Sequence, residues 1–335
     1  MLKDADKIEK DSISTKEWDD FVSQSDYSGF MQSTNWARVK ESEGWKTFRI
    51  VVKDGEKIKA AALVLVAEIG SGKKLFYSPQ GPILRWHIKK DQNLYFKKLI
   101  KLISEFAVAE HAVCWRIEPW AIFRYGEILN KYQKSPVDMQ PRHTALIPLI
   151  EDVDTIVEKF KSKTRYNIRL AQKSNLNVEI GSSIADFKIF YSVYRKTVDR
   201  KSLEHKDFSY FQSICENLGK IGEAFVVNIK KDQQYIGAIL LIKFGDRITY
   251  FFGGFDYDFR KYMAPYLCHY EAIKLGKKLG CSYYDLWGIA NTDSSEHPWH
   301  SFTEFKEKFN PIKISLVGAH DIVFDQEGYT ELLKQ

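Results

Sequence analysis

The sequence is poor in several things at once. Its 335 residues include four cysteines, four methionines and nine prolines. Cys114, Cys215, Cys268 and Cys281 lie far apart and form no CxxC pair, which excludes a disulfide framework and a zinc ribbon and leaves buried, reduced thiols. No apolar run approaches the ~20 residues of a membrane span; the longest covers 60–67. The start, Met1 to Lys7, is charged and lacks the apolar segment of a secretory signal. A cytoplasmic protein with no transmembrane segment is expected, with peripheral contact at a membrane face left open. Charge of one sign is also scarce: Lys+Arg 50 against Asp+Glu 44 leaves +6, too little for a uniformly basic nucleic-acid coat and enough for a local patch.

What is present is core material. Hydrophobic residues make up 44% and aromatics 14%, a globular composition. Two stretches, 48–60 and 225–238, match as strand, polar turn and strand, with Asp54 opposite Asp232, Ile58 opposite Ile236 and Ala60 opposite Ala238. Each is followed by a glycine turn, a third strand (75–77 and 248–250), a helix (94–110 and 266–279) and a further strand (113–117 and 283–287). In the first helix Leu94, Leu99, Leu102, Ile103 and Phe106 share one broad face. The repeated order predicts a duplicated α/β domain, each copy a mixed β-sheet with packed helices, and by analogy it resembles the GNAT-type acyltransferase fold. The expected domains are 1–149 and 150–315, with the boundary near Pro148 to Asp152. The tail, carrying a strand at 314–318 and a short helix, would let 316–335 return to the first domain. A cleft between two similar domains is a usual ligand site.

Familiar catalytic motifs are missing. Gly70-Ser71-Gly72-Lys73 lacks the spacing of a P-loop and reads as a hairpin turn. There is no GxGxxG after a strand, no GxSxG elbow and no HExxH; His297-Pro298-Trp299-His300 reads as a surface loop, not a zinc site. The acyl-CoA phosphate loop is absent at 260–265. The strongest charge feature is 159–173, where Lys159, Lys161, Lys163, Arg165, Arg169 and Lys173 meet no acidic residue. Phe160, Ile168 and Leu170 would bury one side of that helix. The bases form either a solvated face or a site for phosphates. In 250–255, paired Gly253 and Gly254 suit either close approach of a ligand or a tight turn.

Taken together, 161–171, 250–254, 264–266, 284–289 and Phe305-Lys306, with the early Asn35 to Arg38, resemble the FemABX family of peptidoglycan-bridge aminoacyltransferases, in its short FemX-like form without a coiled-coil arm. The resemblance spans nearly the whole chain. It implies two GNAT-like domains and transfer of an amino acid from aminoacyl-tRNA to an amine of a peptidoglycan precursor, either UDP-MurNAc-peptide or lipid II. It implies no cofactor and no metal, because the tRNA ester is already activated. By the same resemblance Lys306 would stabilise the oxyanion or the tRNA end, and Phe305 would orient substrate. Arg38, Lys206, Tyr210 and Phe252 would hold the precursor, with Tyr250, Gly253 and Gly254 alongside. Three of these depart from the family pattern: Arg38 stands for Lys, Lys206 for Arg and Phe252 for Tyr. Glu118 falls where relatives often carry Asp, as a catalytic base or a structural carboxylate. The bases of 159–173 would meet tRNA or precursor phosphates. Two other classes stay open: an acyl-CoA-dependent N-acyltransferase, and a non-catalytic RNA- or precursor-binding relative.

Overall fold

The computed structural model describes residues 13–122, 127–201, 204–291 and 298–334. The chain divides into two units, Met1–Arg142 with Ser315–Gln335, and His143–Ile314.

The first unit opens with α1 (Thr15–Ser23) and α2 (Thr34–Ser42), whose first turns are capped by the Ser14 and Ser33 side chains. Strands β1 (Lys46–Asp54), β2 (Lys57–Glu68), β3 (Lys74–Gln80) and β4 (Ile83–Leu84) follow, then α3 (Lys89–Asp91), α4 (Lys97–Ala109), β5 (Ala112–Pro119) and β6 (Gln133–Lys134). The second unit runs β7 (His143–Pro148), α5 (Val153–Glu158), α6 (Ser162–Lys173), β8 (Asn177–Gly181), α7 (Ile184–Lys201), α8 (Phe208–Asn217), β9 (Ala224–Lys231), β10 (Gln234–Phe244), β11 (Arg247–Phe255), α9 (Ala264–Lys278), β12 (Tyr283–Gly288), α10 (His300–Glu307) and β13 (Ile312–Ser315). The chain then returns to the first unit as β14 (His320–Val323) and α11 (Gln326–Leu332).

Each unit is built on a mixed sheet. Among the described residues the first has the order β1-β2-β3-β5-β14-β6, with β4 beside β2, and the second β13-β7-β12-β11-β10-β9-β8. The repeat is visible in three dimensions. The β1–β2 hairpin turns through Gly55 at φ 59, and the β9–β10 hairpin through Asp232 at φ 53, a residue that tolerates the left-handed region. In both units the third strand of the meander pairs parallel with the strand after the helix, β3 with β5 and β11 with β12. Gly70 to Lys73 is the turn of the β2–β3 hairpin.

Four details differ from the sequence expectation. The strand at 143–148 belongs to the second unit, where it pairs antiparallel with β12 and buries Ala145 and Ile147 in the second core. Pro148 ends that strand, where a missing N–H costs little. Leu94 is 42% exposed, because 92–96 winds as a π-helix and carries Leu94 off the face of Leu99 and Ile103. Leu170 is only half-buried; Thr164, Asn167, Ile168 and Ala171 form the inner face of α6. The strand expected at 314–318 ends at Ser315, and Leu316 makes one isolated bridge with Ile122. All four cysteines are free and buried.

Candidate active site

The parallel strand pairs of the two sheets end differently. In the first unit β3 and β5 stay paired from Lys74 opposite Ala112 to Gln80 opposite Pro119. In the second, β11 and β12 pair only from Arg247 opposite Tyr283 to Thr249 opposite Asp285, and then part. Both strands carry a bulge just beyond the parting point. On β11, Phe251 is the extra residue between Tyr250 and Phe252, which lie opposite Leu241 and Leu240 of β10. On β12, Leu286 and Trp287 stand opposite the single residue Ala145 of β7. Bulges bend a strand and re-aim its side chains. Here they bring the Phe251 and Trp287 rings edge to face, with centroids 5.8 Å apart.

Lys306, on α10, lies in this opening. Its ammonium donates to the Gly288 carbonyl at 2.6 Å and sits 5.7 Å from the centroid of the Tyr250 ring. The side chain is buried, and loss of hydration brings its amine down to about 8, while the Asp285 carboxylate pulls the other way. Asp285 is fully buried. Its Oδ1 accepts from the Thr144 hydroxyl and from the Trp287 N–H at 2.8 Å, and its Oδ2 has no hydrogen-bond partner among the described residues. Burial raises the Asp285 carboxyl, against the pull of Arg247 and then Lys306. His269, on α9, is buried nearby. Its ring meets Tyr250 at 4.8 Å and Phe305 at 5.3 Å, and its Nδ1 lies 2.6 Å from the Tyr284 hydroxyl. Burial first, and the Lys306 charge second, take its imidazole down to about 3, so it is neutral at physiological pH. Phe305 packs on Tyr266, His269 and Phe309 and so helps fix the α10 backbone from which Lys306 projects.

Three residues expected to hold precursor come together beside this opening. Lys206 lies 4.9 Å over the Tyr210 ring, and Tyr210 meets Phe252 at 6.1 Å. Phe252 also packs on Phe211 and Tyr194. Gly253 and Gly254 lie inside β11, not in a turn, and the room above them is taken by the protein itself. A Cβ on Gly254 would meet the Tyr194 Cα of α7 at 2.4 Å, and one on Gly253 would meet the Tyr250 hydroxyl at 2.4 Å. These glycines admit the close approach of α7 and Tyr250. Arg38 is an exposed residue of α2 in the first unit, bonded to Asn35 Oδ1 at 3.1 Å.

Glu118, on β5, has both carboxylate oxygens engaged. Oε1 accepts the backbone N–H of Met139 at 2.6 Å and of Gln140 at 3.0 Å, and Oε2 accepts the Tyr77 hydroxyl. This carboxylate pins the 139–140 segment, which fits the structural alternative. Burial raises its carboxyl to about 7. In the basic helix, Lys161, Lys163, Arg169 and Lys173 are exposed. Arg165 is spent on structure, donating to the Glu158 and Phe160 carbonyls at the end of α5, and Lys159 pairs with Glu151. The start of α6 is docked on α10 through Lys161 N–H and the Thr164 hydroxyl, both donating to the Lys308 carbonyl. His300 opens α10 with Nε2 3.8 Å from Glu304, while His297 lies outside the described residues.

Sequence reasoning missed Asp285 and His269. Asp285 had a signal, a lone acid in the apolar strand 283–288. His269 had none, because one histidine on an amphipathic helix is ordinary.

A family model described as the FemAB family matches residues 13–137, 130–230 and 220–331. The chain belongs to the FemAB family. Among its relatives is the UDP-N-acetylmuramoylpentapeptide-lysine N(6)-alanyltransferase of Weissella viridescens, 24% identical over 97% of this chain and 98% of that one. Another is the lipid II:glycine glycyltransferase of Staphylococcus epidermidis, 22% identical over 96% of this chain and 94% of that one. The crystal structure of FemX superposes with a TM-score of 0.88 at 21% identity, covering 98% of this chain and all of that one. A tandem GNAT protein from clavulanic acid biosynthesis superposes at 0.53 with 8% identity, covering 95% of this chain and 99% of that one. The FemAB fold here is thus a pair of GNAT-like α/β units, and the FemAB protein is an aminoacyltransferase. Among the described residues no helix is long and apolar enough to cross a membrane.

Proposed function

We propose that this FemAB-family enzyme moves an amino acid from aminoacyl-tRNA to an amine of a peptidoglycan precursor, with the parted strands of the second unit as the acyl-transfer site. The observation that carries this reading is Lys306, a buried amine held at the parting of β11 and β12. Direct attack of an amine on an ester needs no enzyme nucleophile. It does need a positive charge or donor where the tetrahedral oxyanion forms. An amine that titrates at about 8 is mostly cationic at neutral pH, and in a desolvated setting its charge acts at short range with little screening. Lys206, Tyr210 and Phe252 offer a cation and an aromatic wall for the precursor. The relatives' names suggest two precursors, a UDP-linked pentapeptide and lipid II.

The tRNA donor is favoured over acyl-CoA by two features. Lys161 at the N-cap of α6, and Lys163, Arg169 and Lys173 along it, are exposed, and the start of α6 is docked on the helix that carries Lys306. The α9 N-terminus, where an acyl-CoA phosphate loop would lie, begins with Met263 at φ 55 and has Pro265 in its first turn, which removes an amide donor.

The test is incubation of the full chain with a mixture of charged tRNAs and purified UDP-linked and lipid-linked precursors, with products read by mass spectrometry. A precursor heavier by one aminoacyl residue is expected, and lost with Lys306→Ala. No product with any pair, or undiminished product from Lys306→Ala, would overturn the reading.

A further inference from the structure

Trp287 has a backbone that its side chain disfavours. Its φ is 65, the left-handed region, where a bulky residue crowds its own carbonyl. It lies inside the strand β12, in the bulge opposite Ala145. Strain of this kind persists only where the surroundings over-determine it. They do so here on both sides. The Trp287 N–H is held by Asp285 Oδ1, which also takes the Thr144 hydroxyl, and Thr144 is itself the partner of Gly288 across the β7–β12 ladder. The half-buried Trp287 ring meets Phe251 of the other bulge.

The next carbonyl along the chain, that of Gly288, receives the Lys306 ammonium. The turn at Trp287 decides where that carbonyl points. Without the extra residue of the bulge, the pleat would alternate and send the Gly288 carbonyl along the ladder direction instead. We infer that Trp287 is a positioning residue: its left-handed bulge aims the Gly288 carbonyl at Lys306 and so sets where the ammonium sits for acyl transfer. This rests on the reading of Lys306 given above. A carbonyl acceptor also favours the charged form of an amine. The other groups facing Lys306 are Asp285, which favours its charge, the neutral His269, and the Tyr250 ring; Arg247 faces Asp285.

The test contrasts two substitutions in the full chain. Trp287→Gly keeps the left-handed backbone without strain and removes only the ring. Trp287→Val is β-branched and drives the bulge out of that region. With Trp287→Gly, which admits the left-handed backbone without strain, kcat is expected to fall less than with Trp287→Val. With Trp287→Val, kcat is expected to fall about tenfold or more, and its alkaline limb to move to lower pH as the ammonium loses its acceptor. Independently of activity, the Lys306 amine titration, followed by NMR with ε-13C-lysine, is expected to stay in place in Trp287→Gly and to fall in Trp287→Val. Where the valine variant does not fold, Trp287→Thr, also β-branched, replaces it in the same titration. An unmoved Lys306 titration in the folded β-branched variant would overturn the inference. So would equal kcat in all variants while Lys306→Ala is inactive. Full turnover by Lys306→Ala would instead sink the parent reading.

Discussion

The ammonium of Lys306 donates to the Gly288 carbonyl at 2.6 Å, tying α10 to the last residue of β12. This bond crosses the mouth of the parted strands. It places a charge in a buried setting, where the nearby carboxylate, Asp285, is already engaged by Thr144 and Trp287.

Burying that charge has a cost with a defined pH signature. Moving the amine from 10.5 to about 8 corresponds to about 3 kcal/mol. The folded value lies below the unfolded one, so the cost is full below about pH 8 and is relieved as pH rises towards 10.5. Lys306→Met should therefore be inactive yet at least as stable as the parent at pH 7, with the difference shrinking on the alkaline side. Urea denaturation at pH 7 and pH 10 would show it; marked destabilisation of the methionine variant at pH 7 would contradict it.

Glu118 has the opposite sign. Its carboxyl rises from 4.5 to about 7 on burial, so its contribution to stability is present below about pH 4.5 and is lost as pH rises through 7. Glu118→Gln keeps the shape and removes the titration. The parent should lose stability relative to this variant between pH 5 and pH 8 in thermal melts, by up to about 3 kcal/mol. Turnover should survive in the glutamine variant, since the carboxylate is spent on Met139, Gln140 and Tyr77.

Gly254→Ala tests the packing role of the paired glycines. The new methyl would lie 2.4 Å from the Tyr194 Cα and 2.6 Å from the Val193 carbonyl, both backbone atoms of a long helix that cannot step aside. A loss of about 3 kcal/mol is expected in chemical denaturation, at the upper end for overpacking. An unaffected midpoint would mean that α7 shifts freely.

Asp321 anchors the returning C-terminal strand. It is 1% exposed, accepts both Arg116 Nε and a second guanidinium N–H at 2.8 Å, and takes the Tyr329 hydroxyl at 2.8 Å. Asp321→Ala leaves a buried guanidinium without its partner and should cost about 3–5 kcal/mol. Equilibrium unfolding would measure this, and a loss below about 1 kcal/mol would argue that β14 is held by its ladder alone.

The basic helix separates into two kinds of residue. Replacing Lys163 or Arg169 by Gln should weaken tRNA binding and reduce the slope of log affinity against log salt, by roughly 0.7–0.9 for each phosphate no longer neutralised. Arg165→Gln should chiefly lower stability, because its guanidinium closes the end of α5. Equal salt slopes for parent and Lys163→Gln would remove the helix from the tRNA-binding surface.

Much of the fold was legible. The stretches 48–60 and 225–238 are equivalent hairpins as read, but the residue pairing is one out: Gly55, not Asp54, holds the left-handed turn position of Asp232. Lys306 and Phe305 were singled out by resemblance alone, and the burial of Lys306 against the Gly288 carbonyl was not legible in it. The exchange of β7 into the second sheet could not, since 143–148 reads as an apolar strand whichever sheet it joins. Gly253 and Gly254 were legible as close contacts but not as contacts with α7 and Tyr250. Asp285 and His269 carry chemistry only through what surrounds them.

By itself, the sequence determined the local elements, the duplication and the family, because periodicity, turn residues and motif order act over short distances along the chain. Only the tertiary structure decided that β11 and β12 part while β3 and β5 do not, and which residues meet at the parting. That decision rests on two one-residue bulges, at Phe251 and at Leu286–Trp287, defined only against the strands they face. A bulge is a mismatch of register between partners, and register exists only once the partners have been chosen.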